Sequence, residues 1–326
     1  MSCSKGLALA QRNVVDSSRM LQIDLKYDKP GRNILNVGVL GAVNSNFNNV
    51  SSGVGGAARF DLAKIANFSA KFLTEIPSFR LDKNLKNIAD HSSYVPFRSL
   101  QLRGSIHFDV KDEVTPVYIE LGRSSSSDLK TVTTNTYSVN APVTHRMSKS
   151  FTFSISNENV TFGTSKKDST LPMNFDLYKN GAKATNFVPS FIGFQNLTII
   201  SAGIGQTSKA FYKARFTSKN NPVIGSKVKR YNTSLEMSIE ALYGLVTGVK
   251  DRGVSQDENG NLTEYEVRDA KIQKWGMRLQ VLGQIKKPGL AVAFSIGSQP
   301  GVKNPVAGGA KWAGNLFAEL GLGLGF

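Results

Sequence analysis

The sequence predicts an all-β chain folded as a closed antiparallel transmembrane β-barrel of about 12 strands, with roughly 10 to 14 compatible with the pattern. Three observations predict it. Stretches of about ten residues alternate apolar and polar side chains with period two, which puts neighbouring side chains on opposite faces of a strand. No run approaches the ~20 apolar residues that a spanning helix requires, so any passage through a membrane must be made by strands. Toward the carboxy terminus the connections alternate in size: Thr247 to Ala270 is long and charged, Lys286-Lys287-Pro288-Gly289 very short, and Ser298 to Gly314 long again.

In chain order, Leu21, Ile23, Leu25 and Tyr27 alternate with Gln22, Asp24 and Lys26 until Lys29-Pro30-Gly31 stops the strand. Leu35, Val37, Val39, Gly41 and Val43 form the next face, followed by Val54, Gly56, Ala58, Phe60 and Leu62, and by Phe68, Ala70 and Phe72. Residues 54–76 contain helix-favouring Ala, Leu and Lys, but Gly53, Gly55, Gly56 and the period-two aromatics argue for strands. Residues 77–98 read as a mixed loop. Leu100, Leu102, Gly104, Ile106, Phe108 and Val110 make a clear strand, and Val117, Ile119 and Leu121 a separate one after Pro116. The Ser/Thr/Asn-rich region 123–150 reads as a long exposed loop, or at Val132, Thr134 and Thr136 as a strand carried beyond a membrane; Phe151, Phe153 and Ile155 resume the pattern. Further strands follow at Leu197 to Gly205, Ala210 to Phe216, Leu235 to Leu245, Trp275 to Ile285 and Leu290 to Ile296. The connection 218–233 is long for a short-turn side and points to a docking segment or an unrecognised strand pair. No fixed-length repeat favours a propeller or solenoid.

The last stretch carries a more specific signal. Ala318, Leu320, Leu322, Leu324 and Phe326 share one face, while Phe317, Glu319, Gly321, Gly323 and Gly325 share the other, which is mostly bare backbone. An aromatic last residue preceded by apolar residues at every second position resembles the assembly signal of Gram-negative outer-membrane β-barrels. The Asn/Ser/Lys-rich loops and Gly-rich staves are similar to barrels of the Bacteroidota. The resemblance implies an outer-membrane location, contact with lipid and lipopolysaccharide, handling by a barrel-assembly machinery, and a carboxy terminus on the short-turn side. Trp275, Trp312, Phe317 and Phe326 fall near predicted strand ends, where interfacial aromatic girdles sit.

Composition agrees with a barrel. The 326 residues suit one barrel domain, here 11–326, and the 40% apolar content suits a fold whose interior is polar. The net charge of +16 comes from short clusters such as Lys227-Val228-Lys229-Arg230, without a nucleic-acid-binding motif; basic loops facing an anionic lipid surface account for it, and no nucleic-acid partner is expected. The single cysteine, Cys3, excludes an internal disulfide framework. Residues 1–10 read as the remnant of an export signal, with Ala8 and Ala10 in small-x-small spacing before Gln11; a lipidated Cys3 lacks the apolar lead-in such a site needs, and an ordinary cytosolic start stays open.

Catalytic chemistry is thinly represented. Ser105, His107 and Asp109 are the one nucleophile, base and carboxylate grouping, but side chains two apart on a strand do not point at one another, so they read as lumen residues. His91, His107 and His145 are too dispersed for a metal site, and Asp257 to Asn261 does not follow the order of a calcium loop. No cofactor is expected. The lumen-facing polar candidates are Arg103, His107, Asp109, Glu120, Lys213, Arg215, Glu236, Glu240, Lys274, Arg278 and Glu319. Buried charges must pair or touch water. If they line a water-filled lumen, the barrel passes small solutes or ligands across the outer membrane, and this is the function expected from the sequence. If they interlock, it is a plugged scaffold or subunit of a surface or secretion complex, with other outer-membrane subunits as partners.

Overall fold

In the computed structural model the described residues are 23–27, 33–46, 49–62, 64–75, 98–128, 131–164, 173–186, 188, 191–218, 226–256, 259, 261–284, 289–303 and 315–325. Their strands are β1 (Ile23–Tyr27), β2 (Asn33–Asn46), β3 (Asn49–Leu62), β4 (Ala66–Glu75), β5 (Arg98–Asp128), β6 (Thr131–Gly163), β7 (Asp176–Lys179), β8 (Ala182–Lys183), β9 (Phe191–Ser218), β10 (Ser226–Gln256), β11 (Leu262–Arg268), β12 (Ile272–Gln273), β13 (Trp275–Gln284), β14 (Gly289–Ser298), β15 (Gly301–Val302) and β16 (Leu316–Gly325).

Ten of these strands pair as sequence neighbours in the order β2-β3-β4-β5-β6-β9-β10-β13-β14-β16, and β16 pairs back onto β2 to close the ring. The closing register sets Leu324 opposite Val39 and Phe317 opposite Asn46. The result is a closed antiparallel ten-strand barrel, which leaves no open sheet edge around its wall. β4, β13, β14 and β16 are 10 residues long, about the length of a transmembrane β-strand. The barrel lies in one compact unit, residues 32–110, 147–208 and 234–326. A second unit contains β1 with the 111–128, 131–146, 209–218 and 226–233 portions of β5, β6, β9 and β10; in it β1 pairs with β9, Ile23 opposite Ser218.

The barrel is built inside out relative to a water-soluble protein. On β5, Leu100, Leu102 and Ile106 are exposed while Ser99, Gln101, Arg103 and Ser105 are buried. On β10, Leu235, Met237 and Ile239 are exposed while Glu236, Ser238 and Glu240 are buried. β16 shows Leu320, Leu322 and Leu324 outward and buries Glu319. Period-two geometry allows this on every stave: even a single strand can offer hydrocarbon to one side and hydrogen-bonding groups to the other. Outward Gly104 is covered by the ring of Phe153 on β6, because a Cβ there would lie 2.3 Å from Phe153 Cζ.

Toward the end of the barrel opposite the start of β2, both faces switch polarity. On β9 the inward residues change from Ser201 to Ile199 and Leu197, and the outward ones from Ile204 and Ile200 to Thr198 and Asn196. On β6 outward Phe151, Phe153 and Ile155 give way to Asn157, while inward Ser154 and Ser156 give way to Val160 and Phe162. Beyond the switch lies an ordinary apolar core of Phe162, Phe175, Leu177, Val188, Phe191, Val267 and Val302, whose Phe162, Phe175 and Phe191 rings stand 5.3 to 6.3 Å apart.

Several sequence expectations are revised. The stretches 100–110 and 117–121 are one strand, as are 197–205 and 210–216, and these fusions lower the strand count from about 12 to ten in the barrel. The polar region 123–150 is strand rather than loop over most of its length, and 218–233 contains the start of β10. Alternating Ser, Thr and Asn pair their backbones as well as apolar residues do but leave no hydropathy contrast. Phe317 packs inward on Val160, Leu197, Ile199 and Leu242 rather than in an outer girdle, as its place opposite Ala318 dictates. Trp275 is exposed, 4.8 Å from the Tyr243 ring, whereas Trp312, Phe326, Cys3 and residues 1–10 lie outside the described residues.

Candidate functional site

The lumen collects the polar side chains, and their lengths suit its width. A barrel of about eight strands is just filled by side chains; ten strands leave a wider bore, which long Arg, Glu and Gln can bridge. Two carboxylates anchor the bridge. Glu236 accepts from Arg103 Nη2 at 2.9 Å and Ser105 Oγ at 3.1 Å, and pairs with Arg59 Nη2 at 3.1 Å. Glu240 pairs with Arg103 Nη1 at 2.7 Å and Arg278 Nη2 at 2.5 Å, and accepts from Ser201 Oγ at 2.9 Å and Ser238 Oγ at 3.0 Å. Arg103 also donates to Gln280 and to Ser238 Oγ, so one guanidinium on β5 binds groups on β10 and β13 across the bore.

The network continues along the wall. Arg278 donates to Ser154 at 3.2 Å, and Ser154 shares a 2.7 Å hydrogen bond with Ser201. Arg59 pairs with Asp61 at 3.0 Å, and Lys71 with Glu319 at 2.5 Å. Arg59, Lys71, Arg103 and Arg278 thus balance Asp61, Glu236, Glu240 and Glu319 in charge. Glu240 is 0% and Arg103 4% exposed, burial that is tolerable only because each charge has opposite charges and hydrogen bonds around it. Glycine makes room for the cluster: a Cβ on Gly203 would lie 2.1 Å from Ile239 O and 2.9 Å from Glu240 Cγ.

Apolar side chains take over the bore on the side of the polarity switch. Val160, Leu197, Ile199 and Leu242, with Phe317 against them, form a layer there. Between this layer and the network is a cavity of about 10 Å³, bounded among others by Leu242, Arg278, Phe317 and Glu319, with space for one water at most. On the other side of the network, toward the start of β2, lies a larger cavity of about 140 Å³. Outside the barrel wall, Arg268 grips Glu266 through two 2.9 Å hydrogen bonds, which hold the Glu266 carboxyl below its ordinary range, and stacks 4.5 Å from the Tyr178 ring.

Of the sequence candidates, Arg103, Glu236, Glu240, Arg278 and Glu319 are buried in the lumen. His107 is half-buried, sharing hydrogen bonds with Asn67 at 3.3 Å and Ser148 Oγ at 3.2 Å. Asp109, Glu120 and Lys274 are exposed instead. Asp109 has φ 50°, which breaks the strict alternation, and pairs with Lys149 at 3.0 Å; Glu120 pairs with Arg123 at 2.8 Å; Lys274 sits between β12 and β13, outside either strand. Lys213 and Arg215 lie on β9 at positions whose side chains fall outside the described residues. Ser105 donates to Glu236, while His107 shares hydrogen bonds with Asn67 and Ser148. No cluster of metal-ligating side chains occurs among the described residues.

Sequence reasoning passed over Arg59, Asp61, Asn67 and Lys71, and put Gln101 and Gln280 on the polar faces of their strands without counting them among the lumen candidates. The signal was present, since Arg59 and Asp61 flank outward Phe60, and Lys71 sits between Ala70 and Phe72. No family model and no curated protein matches the chain. Among solved structures it is similar to a TodX deltaS2S3 mutant monoaromatic hydrocarbon channel, at 9% identity, over 91% of this chain and 90% of that one, with a TM-score of 0.19. A likeness that slight carries neither a ligand nor an activity to this chain.

Proposed function

We propose that this protein is an outer-membrane β-barrel with a plugged lumen, serving as the membrane-embedded subunit or anchor of a surface or secretion complex. The observation that carries the plug is Arg103, which is held by Glu236, Glu240 and Gln280 from the facing wall and so sets side chains across the lumen. Membrane insertion is supported by the belt of outward Leu, Ile, Val, Met and Phe on β2 through β16, an apolar surface far larger than soluble monomers expose. Lipid and lipopolysaccharide would cover that belt, and Ala318, Leu320, Leu322, Leu324 and Phe326 would be read by the assembly machinery. The lineage expected is Bacteroidota-like.

A second reading, passage of small solutes or ligands, is favoured by the cavity of about 140 Å³ and requires the ion pairs above it to part. Planar-bilayer recording separates the two. The plugged barrel gives no steady conductance; stable open channels from the unmodified protein would overturn the plug and favour passage. Heat-modifiable migration in detergent gels is expected, and a compact monomer soluble without surfactant would end the membrane reading altogether.

A further inference from the structure

The larger lumen cavity has a shape and chemistry of its own. One wall carries inward-facing side chains of minimal size, Ala57 on β3, Ala291 and Ala293 on β14 and bare Gly323 on β16, while Leu40 and Leu282 add hydrocarbon. The roof is the underside of the ionic network, where Arg103 lines the cavity with its charge already met by Glu236 and Glu240. We infer that this cavity is a binding site for a small, uncharged, mostly apolar molecule.

Size follows from volume. A dry cavity of about 150 Å³ holds a benzene, so about 140 Å³ admits roughly six to eight non-hydrogen atoms. Charge follows from the roof: Arg59, Lys71, Arg103 and Arg278 are matched one for one by Asp61, Glu236, Glu240 and Glu319. An anion would enter without a free countercharge and lose its hydration, whereas an uncharged hydrocarbon ring leaves water at a gain. The inference goes beyond the plugged-barrel reading and does not depend on conduction.

Cyclohexanone, methylcyclohexane and cyclohexanecarboxylate are suitable probes, titrated calorimetrically into the purified detergent-solubilised barrel. Cyclohexanone should bind saturably at one site per chain. Methylcyclohexane, of the same size and without a polar group, should bind at the same site at least as tightly, and the carboxylate not measurably. Ala291→Leu adds three carbons into the cavity and should abolish cyclohexanone binding while heat-modifiable migration persists; were that variant not to fold, Leu282→Ala, which enlarges the cavity, should shift preference to a longer ketone. Non-saturable uptake, binding unchanged in both variants, or a carboxylate bound as well as the ketone would overturn the inference. Bilayer recording tests the plug separately, so the two can fail independently.

Discussion

Removing Glu240 tests whether the lumen charges act as one cooperative plug. Its carboxylate receives Arg103, Arg278, Ser201 and Ser238 and is 0% exposed. Arg103 retains Glu236 when Glu240 is cut back to alanine, but among the described residues Glu240 is the one carboxylate paired with Arg278. Glu240→Ala therefore strands a buried guanidinium and should cost about 3–5 kcal/mol. Arg278→Ala leaves Glu240 still held by Arg103 and two hydroxyls, and should cost about 1.5–3 kcal/mol, the worth of one charged hydrogen bond. With both removed no stranded charge remains, so the double variant should fall short of the summed costs by up to about 3 kcal/mol. The assay is guanidinium-driven unfolding from lipid vesicles, followed by the loss of the heat-modifiable band. Costs that simply add, or a Glu240→Ala barrel as stable as the parent, would refute the reasoning.

Two further outcomes test the wall. Arginine on the outer belt at Leu320 should cost about 2–4 kcal/mol in vesicles, while Asn157→Arg, beyond the polarity switch on β6, should cost well under about 1 kcal/mol; equal costs would mean the belt does not face hydrocarbon. Gly203→Ala forces a Cβ to 2.1 Å from Ile239 O and should sharply cut the yield of folded barrel, whereas Gly41→Ala, where the nearest atom is Leu322 O at 3.8 Å, should assemble as the parent does, read from the folded band in outer-membrane fractions.

The amino-acid order alone determined which face each residue takes along a stave. Alternation is a property of covalent backbone geometry, so the outward Leu100, Leu235 and Leu322 and the inward Arg103, Glu236, Glu240, Arg278 and Glu319 were legible without knowing any neighbour. Where hydropathy contrast vanished, as in 123–150, alternation was present but silent, and two strands read as a loop. Which charges meet was decided only by the tertiary structure. The partners of Arg103 depend on how many strands close the ring and how each is staggered, quantities summed over the whole barrel and written in no single segment. Tertiary structure also joined polar residues of separate strands into one ionic network and set alanines and glycine of three strands around a cavity, because filling a bore depends on what stands on the opposite wall.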